Sequence, residues 1–413
     1  MFNVYQPWDP LKVCVVGKSY PPEFYEFIKN SKLRDLFQRI ARETEEDFLF
    51  LEKTLHSLGV QTVRPNVPDV LIEKYLAGNN RIPGPISMVP RDQMIMIGSN
   101  FFLFPYDNIS VKASGRLHDT SINRQRWDPT IYSKLQGADW PKEFTQFDQL
   151  PSWIQTELLE KNSRHSYIGD DAVEISDISE KINWWEPVLE LVKKQGNVVI
   201  ANREYDFLNK IPSNGITRIG KDLYFGYSNL NLEHAGLKSL IDKFLPEYRC
   251  HFVKTAGHID GAFSPVKPGL IVSIVEMTNF KDTFPNWEVL YLPGESWNKV
   301  KEFTDLKEKN QGRWWIKDYE HDQELIDFVE TWLYDWVGYV EETVFDVNML
   351  TVDQNNVLVS SYNKEVFDTF KRHNITPHIC PIRHRYFWDG GIHCVTLDLH
   401  REGTMQDFFP FRK

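Results

Sequence analysis

The chain has few cysteines, and no two of them are spaced as a paired motif. Its 413 residues contain Cys14, Cys250, Cys380 and Cys394, without any CxxC spacing. This excludes a disulfide framework of the kind that stabilises small secreted domains. Isolated thiols favour a reducing compartment, and we therefore expect the protein to be cytoplasmic.

The chain also lacks long hydrophobic runs and a recognisable leader. No apolar run approaches the roughly 20 residues that a membrane-spanning helix needs. The first six residues, MFNVYQ, have neither the basic nor the apolar region of a secretory signal. We expect no membrane partner.

Positive charge is in the minority. The chain has 47 Lys and Arg against 58 Asp and Glu, a formal net charge of −11. Proteins that bind nucleic acids neutralise phosphates with basic surfaces, so we expect no nucleic-acid partner. A net negative charge instead favours the binding of a cationic small molecule. Hydrophobic residues at 41% and aromatic residues at 14% supply a large core and exclude general disorder.

What the chain does contain is a recurring β-hairpin. Each copy has two short apolar stretches, β-branched or aromatic, around polar turn residues. Most copies are followed by a helical pattern and then one more strand. Four copies are continuous, and a fifth is split between the two ends of the chain. The paired stretches are residues 93–98 with 101–104, 216–220 with 223–226, 261–263 with 270–274 through a turn at 265–268, 347–352 with 357–360, and 393–398 with 11–16.

Five such units, the last shared by the two termini, predict an α/β fold closed into a ring, that is, a five-bladed pseudosymmetric α/β propeller. Closure removes the sheet edges that invite aggregation. The alternative is one irregular α/β domain whose hairpins are similar by chance. We expect a single domain over residues 1–413, with insertions near 138–182 and 280–342 covering one rim of the ring. Within the second insertion, residues 325–333 have helical spacing.

Four side chains could carry chemistry at equivalent strand starts of different units. Cys394 follows Gly390 and Gly391, His258 and Asp260 lie at a strand-to-hairpin junction, and Asp92 enters the first hairpin. If these strand starts converge on the ring axis, they form a set of nucleophile, base and anchoring carboxylates. The alternatives are a buried structural thiol, a structural histidine and turn-capping aspartates.

A second group of residues invites a metal-site interpretation. It consists of His373, His378, Cys380, His384 and His393. Their spacings match neither a zinc finger nor a helical HExxH motif. We therefore expect no metal and no organic cofactor.

Several motifs resemble the glycine amidinotransferase family, and they occur in the same order over most of the chain. These motifs are residues 5–11 (YQPWDPL), 88–92 (MVPRD), 257–260 (GHID), 346–350 (DVNML), 388–394 (WDGGIHC) and 401–404 (REGT). The family belongs to the pentein superfamily, whose fold is a five-fold pseudosymmetric α/β propeller. The resemblance thus implies the fold that the repeats predict.

The resemblance also implies roles for individual residues. Cys394 would be the nucleophile that accepts an amidino group, and His258 the general acid and base. Asp92 and Asp260 would bind the guanidinium, because carboxylates match its donor geometry bidentately. Arg91 and Gly257, which directly precede Asp92 and His258 in these motifs, would belong to the substrate-binding set.

The implied reaction moves an amidino group from a guanidino donor, with arginine expected, to a primary amine through an amidino-cysteine intermediate. Two alternatives remain open. One is a guanidine hydrolase of the deiminase or dihydrolase type, in which water resolves the same intermediate. The other is a pentein-like binding protein that has lost catalysis. The expected partners are thus small molecules, and a homodimer is an open alternative for the assembly.

The sequence departs from the family pattern at two positions. The family completes its triad with an Asp before the second hairpin, whereas this chain has Asn214 there. Asn214 or Ser213 could orient His258 by hydrogen bonding, or a shifted loop could bring in Asp206. Glycine-using members also carry an Arg after the third hairpin, where residues 276–278 read EMT. This second departure argues against an α-amino-acid donor, unless Arg383, Arg385 or a residue of the insertions supplies the cation.

Overall fold

The computed structural model describes most of the repeated units and little of the two expected insertions. The described residues are 1–67, 86–104, 184–202, 204–205, 208, 213–227, 230–254, 259–274, 280–292, 316, 318–319, 321–325, 347–388 and 390–412. The first expected insertion, at 138–182, lies outside them, as does most of the predicted helix at 325–333. No helix among the described residues is long and apolar enough to cross a membrane.

Five three-stranded sheets form the framework, and all five have the same internal order. In each, two antiparallel strands form a hairpin and a third strand is added in parallel. The strands are β1 Leu11–Val16, β2 Gln61–Val63, β3 Met94–Ile97, β4 Asn100–Leu103, β5 Val198–Ala201, β6 Ile216–Ile219, β7 Asp222–Tyr227, β8 Arg249–Lys254, β9 Phe263–Lys267, β10 Leu270–Ser273, β11 Glu288–Tyr291, β12 Leu350–Asp353, β13 Asn356–Val359, β14 Thr376–Ile379 and β15 Thr396–Arg401. They form the sheets β15-β1-β2, β3-β4-β5, β6-β7-β8, β9-β10-β11 and β12-β13-β14.

The prediction of five hairpin units is confirmed, including the one split between the ends of the chain. Strand β1 pairs antiparallel with β15, with Cys14 opposite Asp398 and Val16 opposite Thr396. The two termini are therefore joined within a single blade. The molecule is a five-bladed pseudosymmetric α/β propeller rather than one irregular domain.

Helices connect the hairpins to their third strands, because a parallel strand can be reached only through a crossover. The described helices are α1 Ser31–Ser57, α2 Glu186–Lys194, α3 Leu230–Phe244, α4 Ile259–Ala262, α5 Phe280–Thr283, α6 Lys364–Arg372 and α7 Arg385–Trp388, with short 3-10 turns at Pro22–Phe27, Ile86–Met88, Pro90–Asp92 and Ser213–Gly215. Helix α1 begins at Ser31 and ends at Ser57. Asn30 caps it by accepting a hydrogen bond from the Leu33 backbone N–H.

Two boundaries in the third hairpin unit differ from the sequence prediction. Strand β9 runs through Pro265 to Lys267, and the turn is at Pro268 and Gly269, where Gly269 has a φ of 89°. Proline is tolerated there because β9 is the edge strand of its sheet. The expected insertion from residue 280 also begins later, since β11 at Glu288–Tyr291 pairs in parallel with β10 as the third strand of the blade.

A buried ion-pair network joins four of the five blades. Arg218 on β6 donates from Nη2 to both oxygens of Asp398 on β15 at 2.8 Å, and it also binds the Met96 carbonyl on β3. Arg401 donates from Nε to Asp398 at 2.7 Å and from Nη2 to the Thr351 carbonyl of β12 at 2.8 Å. These hydrogen bonds set the relative positions of the blades from which the candidate site is built.

Candidate active site

Cys394 lies in the turn that leads into β15. Its side chain is buried, with 2% of its surface exposed. The turn is closed by backbone hydrogen bonds from Val395 to Gly391 at 3.2 Å and from Thr396 to His393 at 3.3 Å. The thiol is therefore presented by a short, internally bonded loop at the start of an inner strand.

Asn348, just before β12, holds this loop from the neighbouring blade. Its Oδ1 accepts hydrogen bonds from the backbone N–H groups of His393 at 2.8 Å and Cys394 at 3.2 Å. Its Nδ2 donates to the Cys394 sulfur at 3.0 Å. A Cβ at Gly391 would lie 2.5 Å from Oδ1 of Asn348, so only glycine fits there. The second glycine of the WDGGIHC motif, Gly391, is therefore required because a larger residue would collide with Asn348.

Asp260, in the first turn of α4, faces the thiol from a third blade. It is buried at 6% exposure, and its Oδ2 lies 3.6 Å from the Cys394 sulfur. The same oxygen lies 2.7 Å from Nδ1 of His393. Because an ionised carboxylate only accepts, Nδ1 of His393 carries the proton in this pair. Asp260 thus combines contact with the thiol and a hydrogen bond to an imidazole.

Asp92 and Asn214 come together at the starts of the first and second hairpins. Nδ2 of Asn214 donates to Oδ1 of Asp92 at 3.0 Å. The two short 3-10 turns that carry them are in contact, and the turn of Asn214 also contacts α4, which carries Asp260. The expected convergence of strand starts is therefore observed for Asp92, Asn214, Asp260 and Cys394.

Arg91 lies within the protein, with 1% of its surface exposed. Its Nη2 donates to the Ile216 carbonyl at 2.6 Å. Burial, together with the charge of Arg218, lowers the pKa of Arg91 to about 10, against the raising effect of Asp260, Asp398 and Cys394. Arg91 is therefore a fixed buried cation close to the site, and direct contact with a substrate remains a prediction.

Several predicted site residues lie outside the described residues. His258, Gly257 and Asp206 are among them, and the side chain of Ser213 is not described although its backbone forms the Ser213–Gly215 turn. The role of His258 and the choice of its orienting partner therefore remain predictions. Asn214 is hydrogen-bonded to Asp92, as described above.

The histidines of the metal-site interpretation each have a separate partner. His373 pairs with Glu288, His378 with Asn356, His384 with Glu43 and His393 with Asp260. Across the part of the chain that the structure describes, no group of three or more His, Cys, Asp or Glu side chains could hold a metal ion.

Comparison with known proteins shows that the chain is similar to amidinotransferases over almost its whole length. No protein-family model matches the chain. The glycine amidinotransferase, mitochondrial, of Xenopus laevis is 22% identical over 98% of this chain and 84% of its own length. The L-arginine:L-lysine amidinotransferase of Pseudomonas savastanoi pv. phaseolicola is 19% identical over 98% of this chain and 95% of its own length. The structure of SxtG, an amidinotransferase from Microseira wollei in the saxitoxin biosynthetic pathway, covers 99% of both chains with a TM-score of 0.54 and 16% identity.

The chain has the amidinotransferase fold. The resemblance predicted from the motifs is confirmed over almost the whole length, and so is the five-bladed architecture. Two residues in contact with the Cys394 loop or with Asp260 were not predicted from the sequence as members of this site. Asn348 lies within the matched motif at 346–350 but had no role assigned, and His393 was considered only as a metal ligand. The signal that could have found them is their place in the motifs, since His393 directly precedes Cys394 and Asn348 lies within 346–350.

Proposed function

We propose that this protein is an amidinotransferase in which Cys394 takes an amidino group from a guanidino donor and passes it to a primary amine. The observation that carries the proposal is the setting of the thiol. The Cys394 sulfur is buried between the carboxylate of Asp260 at 3.6 Å and the amide of Asn348 at 3.0 Å. Asp92 lies at the start of a neighbouring blade in contact with the same region.

The donor is expected to be held by charge. A guanidinium is planar and fully ionised, and its carbon is a poor electrophile until the group is rigidly held. Asp260 and Asp92 supply two carboxylates whose geometry suits bidentate donors. A bound cation next to Cys394 also stabilises the thiolate and offsets the repulsion that Asp260 exerts on it. We expect arginine as the donor.

The transfer takes place in two balanced half-reactions. The thiolate attacks the guanidinium carbon and gives a tetrahedral centre. The C–N bond to the rest of the donor then breaks, and His258 gives its proton to the departing amine. The amidino group remains on sulfur. The acceptor amine then gives a proton to His258 and attacks the same carbon, and the C–S bond breaks to release the thiolate. No redox partner is needed.

The experiment that tests this proposal is intact-mass analysis after incubation with arginine alone. We expect a mass gain of one amidino group on the protein, and peptide mapping should place it at Cys394. Cys394→Ser should abolish both capture and turnover while the protein still folds, because the two side chains are nearly isosteric. The matched control is Cys380→Ser, which should still capture the group. Normal turnover by Cys394→Ser would disprove the mechanism.

The same incubation separates the proposal from its alternatives. Continuous release of urea or ammonia from arginine, without any added amine, would identify a guanidine hydrolase. No capture and no turnover, with a folded protein, would indicate a binding protein without catalysis.

We propose that the acceptor is an amine larger than glycine. The resemblance to the glycine amidinotransferase family implies a carboxylate-binding Arg where this chain has Met277, and a bulky residue where it has Ala256 and Gly257. A glycine carboxylate buried there without a partner would lose several kcal/mol on desolvation, of the order known for unpaired buried polar groups. Competition among glycine, ornithine, putrescine and ethanolamine for labelled arginine tests this. A tenfold preference for glycine in kcat/KM would contradict it.

We also propose a reducing location such as the cytoplasm, and allow for a homodimer. The supporting observation is that all four cysteines are free thiols. Subcellular fractionation and light scattering of the purified protein test the two points separately.

A further inference from the structure

The side-chain amide of Asn348 has only one consistent orientation. The backbone N–H groups of His393 and Cys394 converge on one of its terminal atoms, at 2.8 and 3.2 Å. A backbone N–H can only donate, so this atom is the carbonyl oxygen Oδ1. The amide nitrogen must then face the Cys394 sulfur, 3.0 Å away. The contact is therefore an N–H donor directed at the sulfur.

The side-chain amide of Asn348, which supplies this N–H, is held in place before any substrate binds. Asn348 is buried at 3% exposure. The backbone of Gly391 packs so closely against it that a Cβ there would lie 2.5 Å from Oδ1 and 2.7 Å from Cβ of Asn348. A buried and preorganised dipole does not need to reorient when charge develops next to it.

Asn348 and Asp260 act on the thiol in opposite directions. The Asp260 carboxylate, 3.6 Å from the sulfur, disfavours a second negative charge there. An N–H that donates to the sulfur favours the ionised form, because hydrogen bonds to a charged group are stronger than those to a neutral one. The low dielectric of a buried site strengthens both effects.

We propose that Asn348 controls the ionisation of Cys394, its N–H stabilising the thiolate while its carbonyl holds the loop so that the sulfur faces Asp260. This inference rests on the proposed role of Cys394 as nucleophile. In the ionisation step the S–H bond breaks, the electron pair stays on sulfur and the proton leaves to solvent. Asn348 thereby supports a nucleophile that the guanidinium then stabilises further on entry.

The variant that tests this inference is Asn348→Asp. It keeps an acceptor oxygen for both backbone N–H groups but replaces the N–H donor by a second oxygen. The measurement is the rate at which iodoacetamide alkylates Cys394 as a function of pH, with peptide mass mapping to separate it from the other cysteines. We expect alkylation near neutral pH to slow about tenfold and the pH midpoint to rise by about one unit. An unchanged or lowered midpoint would overturn the inference.

Asn363→Asp is the matched control. Oδ1 of Asn363 also accepts two backbone N–H groups, those of Glu365 and Val366 at 3.0 and 3.2 Å, but at the start of α6. The same substitution there should leave the Cys394 alkylation profile unchanged. If the control moves the midpoint as much as Asn348→Asp does, the effect is not specific and the inference fails.

Asn348→Ala is the second variant, for the case in which the aspartate prevents folding. It removes the donor without adding charge, so the midpoint should still rise, by less than in Asn348→Asp. Circular dichroism and thermal melting should first show that the variant is folded. A folded Asn348→Ala protein with the wild-type midpoint would equally overturn the inference.

The alkylation test and the test of the proposed function can fail separately, since alkylation needs neither arginine nor an amine. If arginine leaves no amidino group on the wild-type protein but Asn348→Asp still shifts the midpoint, the proposed function fails and the role of Asn348 stands. If arginine labels Cys394 and the midpoint does not move, the proposed function stands and this inference fails.

Discussion

At the scale of single residues, Asp260 has two roles that a single substitution can separate. Its carboxylate is expected to attract the donor cation, and the same charge lies 3.6 Å from the Cys394 sulfur and 2.7 Å from Nδ1 of His393. An amide in its place would keep the shape and remove the charge. Binding of the donor and ionisation of the free thiol should then change in opposite directions.

We predict that Asp260→Asn lowers arginine capture by about a hundredfold while increasing the alkylation rate of substrate-free Cys394 severalfold. The first effect follows from loss of a charge-assisted contact to the guanidinium, the second from removal of a like charge beside the thiolate. The measurements are single-turnover mass spectrometry and iodoacetamide kinetics. Asp282→Asn, at an exposed position in α5, is the control and should change neither. Parallel losses in both assays would instead indicate that the site is disrupted.

At the scale of elements, the loop at residues 390–395 contains two glycines that have different surroundings. A Cβ at Gly391 would lie 2.5 Å from Oδ1 of Asn348, closer than real Cβ atoms approach their neighbours. A Cβ at Gly390 would lie 3.5 Å from Cβ of Cys394, an ordinary van der Waals distance. Neighbouring positions in one loop therefore differ in what they tolerate.

We predict that Gly391→Ala lowers both the thermal stability and the Cys394 alkylation rate, because Asn348 must move away from the loop. The cost in stability should be about 1–3 kcal/mol, typical of overpacking a filled site. Gly390→Ala is the matched control and should have melting and alkylation close to the wild type. Equal effects of the two substitutions would mean that the loop is rearranged in solution. Differential scanning calorimetry and iodoacetamide kinetics provide the measurements.

At the scale of the whole molecule, the buried network around Asp398 links the blades. Burial by itself would raise the pKa of Asp398, but the guanidinium groups of Arg218, Arg401 and Arg91 hold it well below its ordinary value. Since the folded pKa lies below the unfolded one, this carboxylate stabilises the fold above about pH 4 and the contribution is lost as the pH falls further. Removing its charge leaves buried cations without their counter-ion.

We predict that Asp398→Asn destabilises the protein by about 3–5 kcal/mol, the range expected when one partner of a buried ion pair is removed. Asp368→Asn is the matched control, since Asp368 forms an exposed i,i+4 pair with Lys364. Its loss should leave the stability nearly unchanged, because exposed ion pairs contribute little. Urea unfolding at neutral pH measures both. Similar costs for the two substitutions would show that the network does not hold the blades together.

Buried thiols give the whole molecule a second pH dependence, at the alkaline end. Burial raises the pKa of Cys14 from 9.0 to about 12, with a further contribution from the charge of Asp398. Burial likewise raises the pKa of Cys250 to about 12. Above pH 9 these thiols ionise in the unfolded chain while they stay protonated in the folded one, so stability falls as the pH rises.

We predict a loss of up to about 1.4 kcal/mol per pH unit for each thiol that stays fully buried, seen between about pH 9 and 10. Urea unfolding at a series of pH values measures the slope. In Cys14→Ala the absolute stability should be lower but the slope shallower, because one titrating group is gone. An identical slope in that variant would assign the alkaline loss to other groups.

The sequence by itself determined the repeated units and supplied the candidate reactive groups. Alternating apolar residues around polar turns are local signals, so the hairpins, the strand that follows most of them and the split fifth blade could be predicted from short stretches. The predicted turn at 265–268 was wrong, because β9 runs through Pro265, and proline is tolerated in that strand only through its edge position in the sheet. The residues expected to meet, Asp92, Asp260 and Cys394, were identified through motifs.

Only the tertiary structure decided what surrounds the thiol. Asn348 and Cys394 are 46 positions apart, and Asp260 and His393 are 133 positions apart. Side chains on different blades meet at distances set by the packing of whole sheets, through contacts such as those of Asp398 with Arg218. Hydrophobic periodicity specifies which face of a strand is buried, but it does not specify which polar side chains of two blades come within hydrogen-bond distance. For that reason the amide at the sulfur and the imidazole at Asp260 became visible only in the folded chain.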